Sequence, residues 1–243
     1  NTTGEYNTSL GFESMLTNTT GDRNVAVGFK ALQIMNVTDG SHTFNTAVGF
    51  GAGQLTTTGT NNTLIGANAG NANTTGSNNV AVGYAALDSN TTGATNVAIG
   101  KALDANTTGG NNIGIGYAAL NANTTANDNI GIGRDALKAN TTGVNNTAVG
   151  SYALDANTTG DENVAIGYAA AGATTTGSQN VAIGDQAFLA NTTGGSNVAI
   201  GREALLTNTT ASNNVAVGYK ALELNTTGAE NVAIGWEANK GST

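Results

Sequence analysis

Short apolar runs closed by a glycine recur along the whole chain. The glycine that ends each run, called here the register glycine, occurs fourteen times, and eleven of the thirteen intervals between successive register glycines are seventeen residues long. The other two intervals are twenty-one and sixteen residues. The register glycines are Gly11, Gly28, Gly49, Gly66, Gly83, Gly100, Gly116, Gly133, Gly150, Gly167, Gly184, Gly201, Gly218 and Gly235. Such a period predicts a solenoid, in which each repeat forms one turn that stacks on its neighbours.

Each run predicts a short strand, because a β-branched residue lies three positions before the register glycine and an aliphatic residue lies one position before it. Val164 and Ile166 are one such pair. Being two residues apart, they share one face of the strand, and we expect that face to form the core, so that Ile166→Asp would break the stack. The residue between them, Ala165, is small in thirteen layers, Leu64 being the exception. This small-residue column then faces outwards, where either another chain covers it or it meets solvent.

Polar residues mark the two corners of each repeat. An asparagine such as Asn163 opens every strand, and stacked identical amides predict a hydrogen-bonded ladder along the solenoid. The second corner reads Asn-Thr-Thr-Gly, whose glycine is expected at positive φ, although Ala126 and Ala211 replace it in two layers. Between the corners an Ala-Leu pair such as Ala153-Leu154 recurs, which we interpret as the opposite wall of a thin core.

The predicted fold is all-β: a single-chain parallel β-solenoid of about fourteen turns of about seventeen residues, forming one domain over residues 1–243. Frequent glycines and β-branched runs exclude a helical repeat. An irregular turn with an insertion at 33–44 contains His42, the only histidine. That insertion is either a protruding contact loop or a tolerated surface bulge.

Composition restricts the function classes. The net charge of −8 disfavours binding to nucleic acid, and no apolar run is long enough for a membrane span. The chain has no cysteine and one histidine, and no acidic pair recurs at a fixed place in the repeat. We therefore predict that it is not an enzyme, with no catalytic, cofactor-binding or metal-binding residues and no cofactor. Stacked Asn and Thr also make weak calcium ligands.

Two further hypotheses rest on the Asn-Thr-Thr corners. Rows of Thr and Asn on a flat solenoid are typical of ice-binding proteins, which makes ice binding the alternative function, although a flat Thr-x-Thr array is missing. The corners also form Asn-x-Thr sequons that could carry N-linked glycans. Examples are Asn1, Asn18, Asn73, Asn90 and Asn106.

The repeat resembles a known family. The segments Asn163–Gly167 and Asn231–Gly235, both Asn-Val-Ala-Ile-Gly, resemble the YadA-like head repeats of trimeric autotransporter adhesins. The longer unit Asn214–Gly228 is similar to arrays in phage tail fibres and bacterial surface fibre proteins. The repeat is longer here than in the adhesin heads, and alanine stands where those heads often have serine three residues after the glycine.

The resemblance implies a left-handed β-roll, three chains side by side, and a place on a cell or virion surface. From it and from the repeat we expect a non-enzymatic structural or adhesive extracellular fibre module. Self-association as a homotrimer is expected, with end-to-end stacking into a filament as a further hypothesis, because neither terminal turn carries a polar cap. No nucleic acid and no membrane insertion are expected, and the surface receptor is not specified by the sequence.

Overall fold

The computed structural model describes residues 3–38 and 42–241, and in them the chain is all-β, without helix. It forms the predicted parallel β-solenoid, of about thirteen turns. Its strands are three residues long, as expected for runs bounded by asparagine and glycine. They are β1 Thr8–Leu10, β2 Val25–Val27, β3 Thr46–Val48, β4 Thr63–Ile65, β5 Val80–Val82, β6 Val97–Ile99, β7 Ile113–Ile115, β8 Ile130–Ile132, β9 Thr147–Val149, β10 Val164–Ile166, β11 Val181–Ile183, β12 Val198–Ile200, β13 Val215–Val217 and β14 Val232–Ile234.

The chain divides into two compact units, each of which is a stack of strands. The first comprises Asn1–Ala118 with Ala122–Thr125, and the second comprises Ala119–Asn121 with Ala126–Thr243. Within the first unit each strand from β1 to β7 pairs in parallel with the next, and within the second unit β8 to β14 do the same. The single domain over residues 1–243 stays a prediction.

Like residues lie over like residues in consecutive layers. Val164 is paired with Val181, Ala165 with Ala182 and Ile166 with Ile183. The Val164 N–H donates to the Asn180 carbonyl at 2.8 Å. This register holds across the insertion, because Val25 still pairs with Thr46. The extra residues are therefore accommodated outside the strands; of the irregular turn at 33–44, residues 39–41 lie outside the described residues.

The prediction of which strand face lines the core was wrong. The central residue of the strand points inwards: Ala165 is 0% exposed, whereas Ile166 is 40% exposed. The same burial pattern holds from β3 to β13. The physical reason is the width of the core, which faces a wall of leucines and leaves room for a small side chain only. A Cβ at Gly131, for instance, would stand 3.2 Å from Cγ of Leu120.

The opposite wall of the core is the predicted Ala-Leu pair. Ala153 and Leu154 are both fully buried, and equivalent pairs recur in both units. The leucines adopt the left-handed conformation, with φ 49° at Leu154, which turns the chain sharply enough to close a turn of seventeen residues. A typical layer, such as that of Ala165, therefore buries small strand residues and the opposite wall rather than a valine and an isoleucine.

Two asparagine ladders stabilise the corners. The strand-opening asparagines are confirmed as a buried ladder: the N–H and Nδ2 of Asn163 donate to Oδ1 of Asn146 at 3.0 and 3.1 Å. Nδ2 of Asn163 also donates to the Gly177 carbonyl at 2.8 Å. The corner asparagines form a second ladder, in which Nδ2 of Asn157 donates to Oδ1 of Asn140 at 2.9 Å. Amides stacked in this way satisfy one another along the solenoid.

The expected positive φ at the Asn-Thr-Thr-Gly glycine was wrong, since Gly160 does not have it. Space is what selects glycine there, because a Cβ on Gly160 would stand 2.5 Å from Oδ1 of Asn157. Positive φ occurs instead at the register glycines, such as Gly167 at 135°. It also occurs at non-glycine residues between the strands, such as Ala169 at 50°.

Candidate association surface

The strand residues that point away from the core form a continuous apolar surface in each unit, named here the outer strand face. Each strand contributes its first and third residues, and every one of them is Val, Ile, Leu or Thr. In the first unit these are Thr8, Leu10, Val25, Val27, Thr46, Val48, Thr63, Ile65, Val80, Val82, Val97, Ile99, Ile113 and Ile115. In the second unit they are Ile130, Ile132, Thr147, Val149, Val164, Ile166, Val181, Ile183, Val198, Ile200, Val215, Val217, Val232 and Ile234.

The outer strand face is flat and lacks charge. β-Branched side chains stack at the spacing of hydrogen-bonded strands, about 4.8 Å, and stand on a backbone whose register is fixed layer by layer. Ile65 and Ile99 keep 39% of their surface in contact with solvent. Monomeric soluble proteins rarely expose contiguous apolar patches above a few hundred Å². A stack of seven such strands in each unit is therefore a candidate association surface.

The register glycines border this face. Most of them approach the next layer so closely that no side chain fits: a Cβ on Gly133 would stand 2.6 Å from the carbonyl carbon and oxygen of Gly150. Their φ, 90° at Gly100 and between 129° and 141° at the others, is also a conformation that L side chains rarely adopt. The glycine column therefore allows successive layers to approach closely beside the outer strand face.

Aromatic residues directly follow several register glycines in both units. Phe12, Phe29 and Phe50 follow register glycines in successive layers, with ring centroids 5.6 and 5.0 Å apart and interplanar angles of 12° and 9°. In the second unit Tyr219 and Trp236 occupy the same position in the repeat, with centroids 4.4 Å apart. These rings stack from layer to layer beside the strands.

Charged side chains occupy none of the first or third strand positions. In the last turns Lys220 lies 2.9 Å from both Glu203 and Glu223, and Arg202 lies 2.8 Å from Glu203. Hydrogen bonds to Glu223 and Glu203 raise the pKa of Lys220, and the bond from Lys220 lowers the pKa of Glu203. These partners indicate a structural role for the network.

In contrast to Glu203, two aspartates have a raised pKa. Burial raises the pKa of Asp88, and the charge of Asp104 adds to it. Burial likewise raises the pKa of Asp155, with a smaller contribution from the charge of Asp135. Within residues 3–38 and 42–241 no group of three or more His, Asp or Glu side chains is placed to hold a metal ion.

The insertion brings the ring of His42 next to the carboxyl group of Asp22. Its Nδ1 lies 3.1 Å from Oδ2 of Asp22, and its ring contacts Phe44 edge-on. The pKa of Asp22 is lowered, chiefly because the Glu5 N–H donates to this carboxylate and also through the bond to His42. These contacts are compatible with either interpretation of the insertion.

The asparagine and first threonine side chains of the Asn-Thr-Thr corners form hydrogen bonds within the solenoid. Asn18, Asn73, Asn90 and Asn106 are buried, whereas Asn1 lies outside the described residues. A glycan on the buried asparagines would have to displace the ladder. The hydroxyl of the first threonine donates to the backbone of the next layer, as Thr158 does to the Thr175 carbonyl at 3.1 Å. The second threonine, such as Thr159, remains exposed.

No helix among the described residues is long and apolar enough to cross a membrane. Comparison of the chain with protein-family models, with curated proteins and with solved structures finds no match. The YadA-like resemblance therefore stays a prediction carried by the repeat itself, and the functional argument rests on the surfaces described above.

Proposed function

We propose that the chain is a non-enzymatic structural or adhesive module of an extracellular fibre, and that further copies of the chain cover its outer strand face. The observation that carries this proposal is the exposure of a flat, uncharged Val/Ile surface that the solenoid's own core does not use. Burying an exposed aliphatic side chain contributes about 25 cal/mol per Å² of apolar area. Because the surface repeats layer by layer, many small contributions add along the contact.

A second copy of the same chain is the partner that fits this surface best. Repeats with the same spacing in both copies allow the β-branched side chains of one copy to pack against those of the other, layer by layer. Obligate interfaces between copies resemble a domain core cut in half, as this face does. Three copies side by side is the arrangement implied by the resemblance to adhesin heads, which also supports a location on a cell or virion surface.

Contacts with a receptor would then fall on the variable positions that self-association leaves open. The residue after the register glycine differs between layers, as Tyr84, Lys101 and Tyr117 illustrate. Variation on a rigid repeating scaffold is typical of binding positions. The solenoid supplies the spacing and rigidity, and these positions supply the contacts.

Sedimentation measurements test the proposal. The chain should show a complex of three copies, and Ile166→Asp should reduce that complex to single chains while preserving the β-sheet circular dichroism spectrum. Ala165→Asp is the matched control and should unfold the layer, because it buries a charge in the core. A chain that stays monomeric at high concentration contradicts the proposal, and a stable complex of two copies contradicts the trimer.

A further inference from the structure

The Asn-Thr-Thr corners of the first unit carry a row of exposed threonines whose hydroxyl groups are not used by the fold. In four successive layers the second threonine is exposed, and its hydroxyl makes no hydrogen bond to any part of the chain that the structure describes. These residues, called here the threonine row, are Thr58, Thr75, Thr92 and Thr108. Each hydroxyl can both donate and accept a hydrogen bond, so the row is available to a ligand outside the protein.

Hydrogen bonds between layers fix the backbone of the threonine row. The N–H groups of Thr74, Thr75 and Gly76 all donate to the Thr91 carbonyl, at 2.9, 3.1 and 3.3 Å. The hydroxyl of Thr74 donates to the same oxygen at 2.9 Å, and the next layer repeats this arrangement at the Thr107 carbonyl. Because the same layers are joined by strand pairing, the row repeats at the spacing of hydrogen-bonded strands, about 4.8 Å.

A second exposed row follows three positions later in each of these repeats. Its members are neutral side chains able to form hydrogen bonds: Asn61, Asn78, Thr95 and Asn111. Their backbone is fixed in the same way, since the Asn78 N–H donates to the Thr60 carbonyl at 2.9 Å and the Thr95 N–H donates to the Ser77 carbonyl at 3.0 Å. Two rows of uncharged polar side chains therefore run along the same four layers.

These four corners are free of charged side chains, although the chain as a whole has a net charge of −8. In the second unit a run of uncharged corners is limited to three layers, because Glu162 and Glu230 bound it. We call the exposed side chains of the four corners in the first unit the neutral corner surface. Its segments contain only Thr, Ser, Asn, Ala and Gly, and they are 57–61, 74–78, 91–95 and 107–111.

We propose that the neutral corner surface binds ice, a further function that is separate from association through the outer strand face. Each layer presents a hydroxyl and a methyl group on a threonine, whose β-branched side chain is restricted about χ1. Water molecules bound to successive hydroxyls are therefore held about 4.8 Å apart, close to the shortest repeat distance of hexagonal ice. Charged side chains, which would hold hydration shells of their own, are absent from this surface.

A water lattice fits this surface better than a discrete molecule does. Binding sites for small molecules are concave and combine apolar or aromatic walls with a few polar groups that orient the ligand. The neutral corner surface contains no aromatic residue and presents the same threonine in every layer, so nothing on it orients a single molecule at one position. A lattice repeats as the surface does and binds to all four layers at once.

Thermal hysteresis, the gap between the melting temperature of a seeded ice crystal and the temperature at which it grows, tests the proposal. The parent chain should show such a gap. Thr75→Tyr should remove most of it, because a ring interrupts the threonine row, and Asn78→Glu should do the same by adding a charge. Asn78→Glu suits the fold, since Glu162 has the same repeat position with a φ of 58° against 61° at Asn78. Thr159→Tyr, in the charged layer of Glu162, is the matched control and should leave the gap unchanged.

The outcomes are independent of the side-by-side complex. Circular dichroism establishes that each variant is folded, and sedimentation should give Thr75→Tyr the same mass as the parent chain. A parent chain without thermal hysteresis overturns ice binding, whatever its mass in solution. Equal losses in Thr75→Tyr and Thr159→Tyr overturn the assignment to the neutral corner surface, as does a loss in Thr75→Tyr that accompanies a change of mass.

Discussion

Gly184 lies against Gly201 of the next layer so closely that a Cβ on Gly184 would stand 2.7 Å from the carbonyl carbon and oxygen of Gly201. Its φ of 138° also lies where L side chains are strained. The register glycine is thus required twice, once by the backbone conformation and once by the neighbouring layer.

Gly184→Ala should therefore lower the free energy of unfolding by roughly 3 kcal/mol or more, because backbone strain and overpacking add. Gly235→Ala separates the two causes, since Gly235 has a similar φ of 129° but a Cβ on it would meet only Cβ of Ala238, at 3.9 Å. That control should cost only the strain, about 1–3 kcal/mol. Chemical denaturation of dilute single chains measures both, and equal losses would show that the close approach of the layers is not limiting.

Leu64 shows how the core compensates for a change of side-chain size. It replaces the central alanine of its strand, and the left-handed leucine position is glycine in the adjoining turns: a Cβ on Gly53 or Gly70 would stand 2.6 or 2.7 Å from the Leu64 side chain. Leu64→Ala should cost about 2–5 kcal/mol through the cavity it leaves.

Gly70→Leu should also destabilise the parent chain, by about 1–3 kcal/mol, because it overfills the same space. The double variant restores the arrangement of the other layers, in which Leu87 adopts a φ of 57° at this position. Its loss of stability should be smaller than that of either single variant, a coupling of about 1 kcal/mol or more. Additive losses would show that the side chains at positions 64 and 70 do not share one space.

Asp155→Asn should raise the melting temperature at neutral pH. Burial raises the pKa of Asp155, so the folded chain favours the protonated form and the charged carboxylate is unfavourable above the folded-state pKa. As the pH falls through that pKa the unfavourable contribution disappears, and the difference between variant and parent should vanish below the ordinary pKa of aspartate.

Asp22→Asn is the control of opposite sign, because the pKa of Asp22 is lowered by the Glu5 N–H. Its carboxylate stabilises the fold above the ordinary pKa, and that contribution is lost as the pH falls through the folded-state pKa. The asparagine variant should therefore melt lower than the parent at neutral pH. Shifts of the same sign in both variants would contradict the assigned environments.

Much of the fold could be predicted because the repeat reports what each layer requires. Fourteen asparagines before fourteen short apolar runs indicated the ladder, the strands and the parallel register, and the Ala-Leu pairs indicated the second wall. These features follow from the recurrence alone. They could therefore be predicted without knowing which face of each strand is buried.

The alternation of residues could not show which face of each strand is buried. A period of two shows that Val164 and Ile166 share a face, but not which face is buried. A usable signal was present nonetheless: the ladder Asn163 is two positions before Ala165 and so shares its side of the strand. Because stacked amides require burial, the alanines had to point inwards with them. Positive φ at Ala169 and Leu154 had no such signal, since neither residue type favours it.

Cysteine labelling tests the central claim most directly, because the chain contains no cysteine of its own. Ala165→Cys and Ile166→Cys are adjacent in sequence but face the core and the outer strand face respectively. The Ala165 position should resist a thiol reagent at every concentration. The Ile166 position should react rapidly in dilute single chains and become protected as the chains associate. Faster labelling at Ala165, or labelling at Ile166 that concentration does not change, would contradict the account.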